Sequence, residues 1–285
     1  MEANQYIKDD RNNMFDVMER RISMDNPFSS LMSIDLMVTE LCNLSCEFCP
    51  RSKGYPNQNL HMDLSVIRKI ANELAKLEYK NRIVFCGFGE PLLYNYLFEA
   101  IEILRQKLPW QQNIHIVTNG DRLTRSKMQD LYEIGLNKIF VSMYEQQIER
   151  FNEIFKSVDK SKYLLQHYYL DKKDNYGFVY LSNRTGYNFV TQKKITGCNM
   201  PFYAMNIHYD GNVLLCCHDW KKSVSMGNVM KQNLKDIWLN STIFNEYRNK
   251  LQKERNINPC KNCNIDGKFY GNKSRNTLLS RSQCQ

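Results

Sequence analysis

The chain has 285 residues, 42% of them hydrophobic and 24% charged, with a formal net charge of +9. That is enough for one sizeable core, or a core with an appendage, in an ordinary globular composition. No stretch approaches the about 20 apolar residues of a membrane span, and the polar start (Lys8, Asp9, Asp10, Arg11) lacks an apolar secretion-signal core. The cytoplasm is therefore the expected compartment, with no membrane partner. The positive charge fits an anionic small-molecule substrate and equally a solvated, lysine-rich surface. Without a run of five or more basic residues, nucleic acid is not an expected partner. The ten cysteines fall in C-x2-C-like clusters, which in such a chain argues for metal ligation rather than disulfides.

In chain order, residues 1–30 read as a helix and linker, with Met14, Val17, Met18 and Arg21 at helical spacing. They are too few for a separate peptide-recognition domain. An apolar strand over 34–38 delivers a loop holding Cys42, Cys46 and Cys49. Asp63 caps a helix whose apolar positions Val66, Ile67, Ile70, Ala71, Leu74 and Leu77 keep a 3.6 period. A strand over 83–86 ends in Gly87-Phe88-Gly89-Glu90-Pro91, and a helix follows with Leu97, Ile101, Leu104 and Leu108 on one face. A strand over 114–117 ends in Thr118, Asn119 and Gly120; the next helix, 126–134, stops at Gly135, a C′ glycine. A strand over 138–142, a helix over 145–155 and strands near 163–168 and 178–181 complete the series. Short apolar strands alternating with amphipathic helices predict an α/β protein with a parallel sheet and right-handed crossovers.

Three thiolates at C-x3-C-x2-C can ligate three irons of a [4Fe–4S] cluster, leaving the fourth iron open to a ligand. A partial zinc site is the competing reading. With aromatic Phe48 before the last cysteine, the motif resembles the signature of the radical S-adenosylmethionine (SAM) superfamily. The resemblance implies a partial (β/α)6 TIM-like barrel with its site at the C-terminal strand ends. It also implies SAM on the open iron and, after reductive cleavage, a 5′-deoxyadenosyl radical that abstracts hydrogen from substrate.

By that resemblance, Gly89 and Glu90 correspond to the GGEP motif (here with Phe88 interposed) and meet the methionyl end of SAM; alone they would read as a Gly-Pro turn. Phe48 would contact the adenine through its backbone, and Ser142 matches a ribose-contacting serine. Thr118 and Asn119 line the same mouth, although Asn119-Gly120 also reads as a plain turn. Arg184, in an N-R-x-G element, is a candidate catalytic and cofactor- or substrate-binding residue, since its fork suits a carboxylate or phosphate; the alternative is a surface turn. His115 reads as a core residue and Cys86 as a small buried hydrophobe.

From about Thr196 the pattern changes. Cys198, Cys216, Cys260 and Cys263 form a complete four-thiolate set, for a second [4Fe–4S] cluster or a structural zinc. Asp210-Gly211 reads as a hairpin turn between short strands, with helices over 234–239 and 243–251. The layout resembles the SPASM/Twitch auxiliary extension. The C-x2-C is followed by no further cysteine before Cys284, which favours the one-cluster Twitch form, with Cys217 and Cys284 as spare thiols. The expected organisation is 1–30 helix and linker, 31–190 barrel and 191–285 auxiliary domain. The layout is most similar to Twitch-type aminocyclitol dehydrogenases. The expected activity is oxidation of an alcohol on a polyhydroxylated or nucleotide-linked small molecule, with a flavodoxin or ferredoxin as electron donor. The alternative activity is radical modification of a ribosomal peptide.

Overall fold

The computed structural model describes residues 12–168 and 196–283. After α1 (12–20), four βα units follow in order. They are β1 (Ser33–Met37) with α2 (Leu64–Lys76), β2 (Arg82–Cys86) with α3 (Leu97–Lys107), β3 (Ile114–Thr118) with α4 (Arg125–Glu133), and β4 (Lys138–Met143) with α5 (Ile148–Ile154). Then come β5 (Tyr163–His167), α6 (Met200–Tyr203), β6 (Ala204–His208), β7 (Asn212–Leu214), β8 (Ser225–Asn228), α7 (Leu234–Asn240), α8 (Thr242–Leu251) and α9 (Asn272–Gln283). The expected strand near 178–181 and Arg184 lie outside the described residues.

Local chemistry sets the helix ends. The Asp63 carboxylate accepts from the Ser65 amide at 2.7 Å and starts α2. At the end of α4, Gly135 adopts φ +105°, a conformation that disfavours a side chain, and the Leu136 amide closes back on Leu131 O at 2.9 Å. One face of α2 buries Val66, Ile67, Ile70, Ala71 and Leu74 against the outward-facing Ile34, Leu36 and Val38 of the first strand segment. Each fully buried Leu or Ile contributes about 1.5–3 kcal/mol, so this helix layer fixes the sheet.

The eight strands run in the order β5-β4-β3-β2-β1-β6-β7-β8. Strands β1 to β5 pair in parallel sequence, forming a barrel wall that is open among the described residues. The tail does not form a separate sheet: β6 pairs in parallel with β1, Asp35 opposite Asn206 and Met37 opposite His208. The antiparallel β6-β7 turn passes through Gly211 at φ +80°, the expected hairpin position. With a side-chain period of two, the face opposite the helices carries Ser33, Asp35, Arg82, His115, Lys138 and Asn206 interspersed with Met37, Val84 and Phe140. Arg82 Nη2 and Asp35 Oδ1 pair across it at 3.5 Å.

The N-terminal helix forms, but its buried side is Phe15 and Met18, followed by Ile22 just past its end, packed on Met32, Tyr203 and Ala204. Val17, placed on that face by spacing alone, is 45% exposed. Phe15 stacks on Tyr270 with centroids 3.9 Å apart, a partner that only the folded tail supplies. Among the described residues no helix is long and apolar enough to cross a membrane.

Candidate active site

The first strand stops where Thr39 bridges to His61 and Met62 N–H donates to Val38 O at 2.8 Å, so the chain leaves the sheet into the cysteine loop. The Asn57 side chain holds the loop entry: its Oδ1 accepts from Cys42 N at 2.9 Å and its Nδ2 donates to Cys42 O at 3.0 Å. Cys49 N–H donates to Cys46 O at 2.8 Å, closing a turn between the last two cysteines. Burial, followed by the negative charge of Cys49 and Cys42, pushes the Cys46 thiol up to about 12. Burial likewise raises Cys42. Thiols as reluctant to ionise as Cys42 and Cys46 become thiolates only beside a strong cationic centre, and with Cys49 next to them the set fits an iron–sulfur cluster.

Gly89 lies against the same loop. A Cβ there would stand 2.3 Å from Thr39 O and 2.6 Å from Leu41 O, a cradle only glycine fits. Glu90 N–H then donates to Leu41 O at 2.8 Å. The Glu90 carboxylate accepts from Thr118 Oγ1 at 2.5 Å, Asn119 N at 2.7 Å and Leu92 N at 2.9 Å. Burial still drives its pKa upward despite these donors. Glu90 thus has three donors but no cationic partner among the described residues, which fits an ammonium-bearing ligand. Thr118 is buried behind Glu90 rather than at the mouth.

Beside the cysteines lies a cleft of about 210 Å³ whose walls include Cys46, Asn119, Asp121, Tyr144 and Glu145. Of the expected site residues, Cys46 and Asn119 line it. Phe48 packs at its edge with its ring centroid 5.0 Å from that of Tyr144. Ser142 is buried beneath, its Oγ 3.3 Å from Gln166 Oε1. Tyr144, Asp121 and Glu145 were not singled out by sequence, although each lies within three positions after a strand-end motif residue. Asn43 ties the cleft together, donating to Asp121 Oδ2 at 2.7 Å and accepting from Asn119 Nδ2 at 3.0 Å.

The second cysteine set also converges. Cys198, Cys216, Cys260 and Cys263 line one cavity, with Met200, Leu215 and Arg255. Its entry is pinned by Cys198 N–H to Leu251 O and Asn199 N–H to Gly267 O, both at 2.9 Å. A Cβ at Gly267 would lie 2.4 Å from Cys198 Sγ, so glycine keeps the cavity open. Burial raises the thiol pKa of Cys198, Cys216 and Cys260. The thiols stand around a space rather than at a point: among the described residues no three His, Cys, Asp or Glu side chains close on a single-ion position. The donor set and the cavity fit a cluster. Cys217 turns away and packs with Cys49 against Met37, Tyr55, Phe88, Leu214 and Trp220. Cys284 lies outside the described residues. Cys86 is half-buried at the end of β2, with burial holding its thiol well above the ordinary range. His115 is buried and its pKa held well below the usual imidazole range by that burial, but its Nδ1 has no hydrogen-bond partner among the described residues.

Between the two sites lies a charged network that spacing alone does not reveal. Glu40 Oε1 meets His208 Nε2 at 2.7 Å, Tyr55 OH at 2.8 Å and Lys222 Nζ at 3.2 Å. Arg51, just after the cysteines, donates to Glu40 O at 2.5 Å and Phe88 O at 2.9 Å. The Phe88 ring stacks on Trp220 with centroids 4.3 Å apart. The two cysteine loops are therefore joined by charge pairs and aromatic packing.

These features, three cysteines at a strand end, a glycine-cradled carboxylate and a second four-thiol cavity, define a radical SAM enzyme with an auxiliary iron–sulfur domain. Residues 36–153 match the radical SAM superfamily model and residues 198–264 match SPASM, an iron–sulfur cluster-binding domain. The chain belongs to the radical SAM superfamily. It is 32% identical over 249 residues to the S-adenosyl-L-methionine-dependent 2-deoxy-scyllo-inosamine dehydrogenase of Niallia circulans, covering 85% of this chain and 94% of that protein. The solved structure of BtrN in complex with AdoMet and 2-DOIA superposes with a TM-score of 0.71 at 29% identity, over 82% of this chain and 93% of that one. SuiB of Streptococcus suis, solved with its precursor peptide SuiA, has a TM-score of 0.57 at 14% identity, over 82% of this chain and 70% of that one, a likeness of fold alone. The expected cofactor set, a [4Fe–4S] cluster, SAM and auxiliary iron–sulfur binding, is that of these two domains.

Proposed function

We propose that this chain oxidises a secondary alcohol of a small polyhydroxylated molecule to a ketone, with 2-deoxy-scyllo-inosamine and related cyclitols the first candidates. The observation that carries this reading is the complete four-thiol cavity, linked to the three-cysteine loop through the Met37, Phe88 and Trp220 cluster against which Cys49 and Cys217 both pack. Converting a carbinol to a ketone removes one hydrogen atom, one proton and one further electron. When bound, the first cluster and SAM supply the radical that takes the hydrogen atom, and the auxiliary cluster supplies an acceptor for the electron.

The chain's own residues have assignable parts in this reading. Cys42, Cys46 and Cys49 hold the open cluster, and Cys198, Cys216, Cys260 and Cys263 the closed one. Gly89 and Glu90 receive the methionyl ammonium, Asn119 and Tyr144 the body of the cofactor, and Ser142, Thr118 and Phe48 support that wall. The polar side chains of Asp121, Glu145 and Gln147 on the cleft wall suit a hydroxyl-rich substrate better than an apolar one. The barrel and auxiliary portions divide near residue 191, a flavodoxin or ferredoxin supplies electrons, and the enzyme works in the cytoplasm. Peptide modification is not favoured, since the likeness to SuiB extends to fold alone.

The test uses anaerobically reconstituted enzyme, a reductant, SAM and 2-deoxy-scyllo-inosamine carrying deuterium at the carbinol carbon. The expected result is deuterated 5′-deoxyadenosine together with ketone. Ketone formed without deuterium transfer sinks the direct-abstraction reading; deuterium transfer without ketone sinks the oxidation.

A further inference from the structure

We propose that Arg255 donates a hydrogen bond from Nη2 to a sulfur of the auxiliary cluster and thereby sets how readily that centre accepts an electron. The inference rests on the reading of Cys198, Cys216, Cys260 and Cys263 as the ligands. Arg255 is 7% exposed and forms part of the cavity wall those cysteines share. Two of its nitrogens are anchored to the backbone that carries the ligands: Nε donates to Gly197 O at 2.7 Å and Nη1 reaches Cys263 O at 3.5 Å. The third, Nη2, is buried without a hydrogen-bond partner among the described residues.

Its surroundings say what it borders. The position a Cβ would take on Gly267 lies 2.4 Å from Cys198 Sγ and 3.6 Å from Arg255 Nη2, so the donor and the sulfur border the same space, which glycine leaves open. Arg248 offers a contrast. Its Nη2 is also buried without a hydrogen-bond partner among the described residues, but its guanidinium lies 4.3 Å and 4.0 Å from the ring centroids of Trp238 and Phe244 and has aromatic faces to meet. Arg255 has no such face among the described residues; it borders a cavity lined by the four thiols, His218 and apolar side chains such as Met200, Leu215 and Ile265. A buried cation with an unused donor needs an acceptor of opposite charge. A thiolate-ligated cluster carries net negative charge that grows on reduction, so a donor and a positive charge at its sulfurs favour the reduced form. Arg255 is on this reading a positioning and tuning residue for the electron-accepting centre, and it does not touch substrate.

The experiment reads the centre itself. Full-length protein with Cys42, Cys46 and Cys49 replaced by alanine is reconstituted anaerobically, so that only the auxiliary cluster remains. It is labelled with guanidinium-15N arginine, reduced, and examined by pulsed electron paramagnetic resonance. A 15N coupling that disappears in Arg255→Met is expected; a fully loaded cluster without coupling overturns the assignment. In redox titration, iron-replete Arg255→Met should show at least a tenfold lower reduced-to-oxidised ratio at fixed poise, about 59 mV for one electron, with Arg255→Lys in between. An unchanged midpoint overturns the proposal. Should Arg255→Met fail to hold iron, the coupling in the labelled parent protein decides alone. Fewer than about four irons in that parent would overturn the four-cysteine reading and Arg255's role together.

Discussion

His208 Nε2 stands 2.7 Å from Glu40 Oε1, with both side chains 2% exposed, and so ties the end of β6 to the start of the first cysteine loop. Burial would raise the Glu40 carboxyl, but hydrogen bonds from His208 and Tyr55 and the charge of Lys222 outweigh it, and its pKa ends below the ordinary value. Removing His208 deletes a charge-assisted bond but leaves Glu40 with Tyr55, Lys222 and Arg51. His208→Ala should therefore lower unfolding stability by about 1.5–3 kcal/mol, the worth of a hydrogen bond to a charged group. It should also loosen the loop through Tyr55 and Arg51, which share Glu40. Urea denaturation of wild type and variant would measure the loss. A change below about 1 kcal/mol, the scale of surface pairs, would show the contact to be energetically idle.

The same residues set a pH dependence. Burial opposes charging of His208, but Asp210 and Glu40 win and hold its pKa above the ordinary 6.5. Its stabilising contribution is complete below the unfolded value, about 6.5, and is lost as pH rises through the folded value. Burial would also raise Asp210, yet His208 and Asn212 bring it to about 2. Its contribution is complete above about 3.9 and fades as pH falls towards about 2. Wild type should thus lose stability relative to His208→Gln as pH rises above about 6.5. Denaturation midpoints taken between pH 6 and 9 should converge; parallel curves for the two proteins would refute the linkage.

The parts of this molecule legible in the sequence are those encoded locally. Asp63 with a 3.6-residue apolar period specifies α2, and the apolar strand cores place β1 to β4 within a residue or two. The cysteine loop and Gly89-Glu90 are contiguous motifs and were readable as such. What escaped depends on distant partners. Nothing in the Ala204–His208 segment says that it pairs in parallel with Ser33–Met37. Glu40 and His208 lie 168 residues apart, and Trp220 finds Phe88 only after folding. Helix α9 has almost no apolar stripe; polar contacts hold it, such as Ser274 Oγ donating to Ser30 O at 2.8 Å. Arg255 likewise reads as one more surface cation until its burial is seen.

Gly89 offers a prediction at the first site. A methyl group there would press on the carbonyl oxygens of Thr39 and Leu41, which are backbone and cannot rotate away. Gly89→Ala should cost about 1–3 kcal/mol through overpacking and displace Glu90, whose amide is bonded to Leu41 O. SAM affinity of the cluster-loaded variant, measured by equilibrium dialysis, should fall at least tenfold, about 1.4 kcal/mol. Unchanged affinity would show that Glu90 does not depend on this cradle.

Gly267 tests the second site independently of the first. Its missing side chain is what separates the Asn199 to Gly267 backbone contact from Cys198 Sγ, and a Cβ there would come within 2.4 Å of that sulfur. Gly267→Ala should leave the three-cysteine loop untouched, since Cys42, Cys46 and Cys49 belong to another wall of the fold, while closing the four-thiol cavity. Reconstituted wild type should carry about eight irons and the variant about four. The variant should still cleave SAM to 5′-deoxyadenosine yet form little ketone, because the electron left on the substrate has lost its acceptor. Full iron loading in Gly267→Ala would show that the cavity tolerates a side chain there; ketone formed at the wild-type rate with only four irons would remove the auxiliary centre from the oxidation.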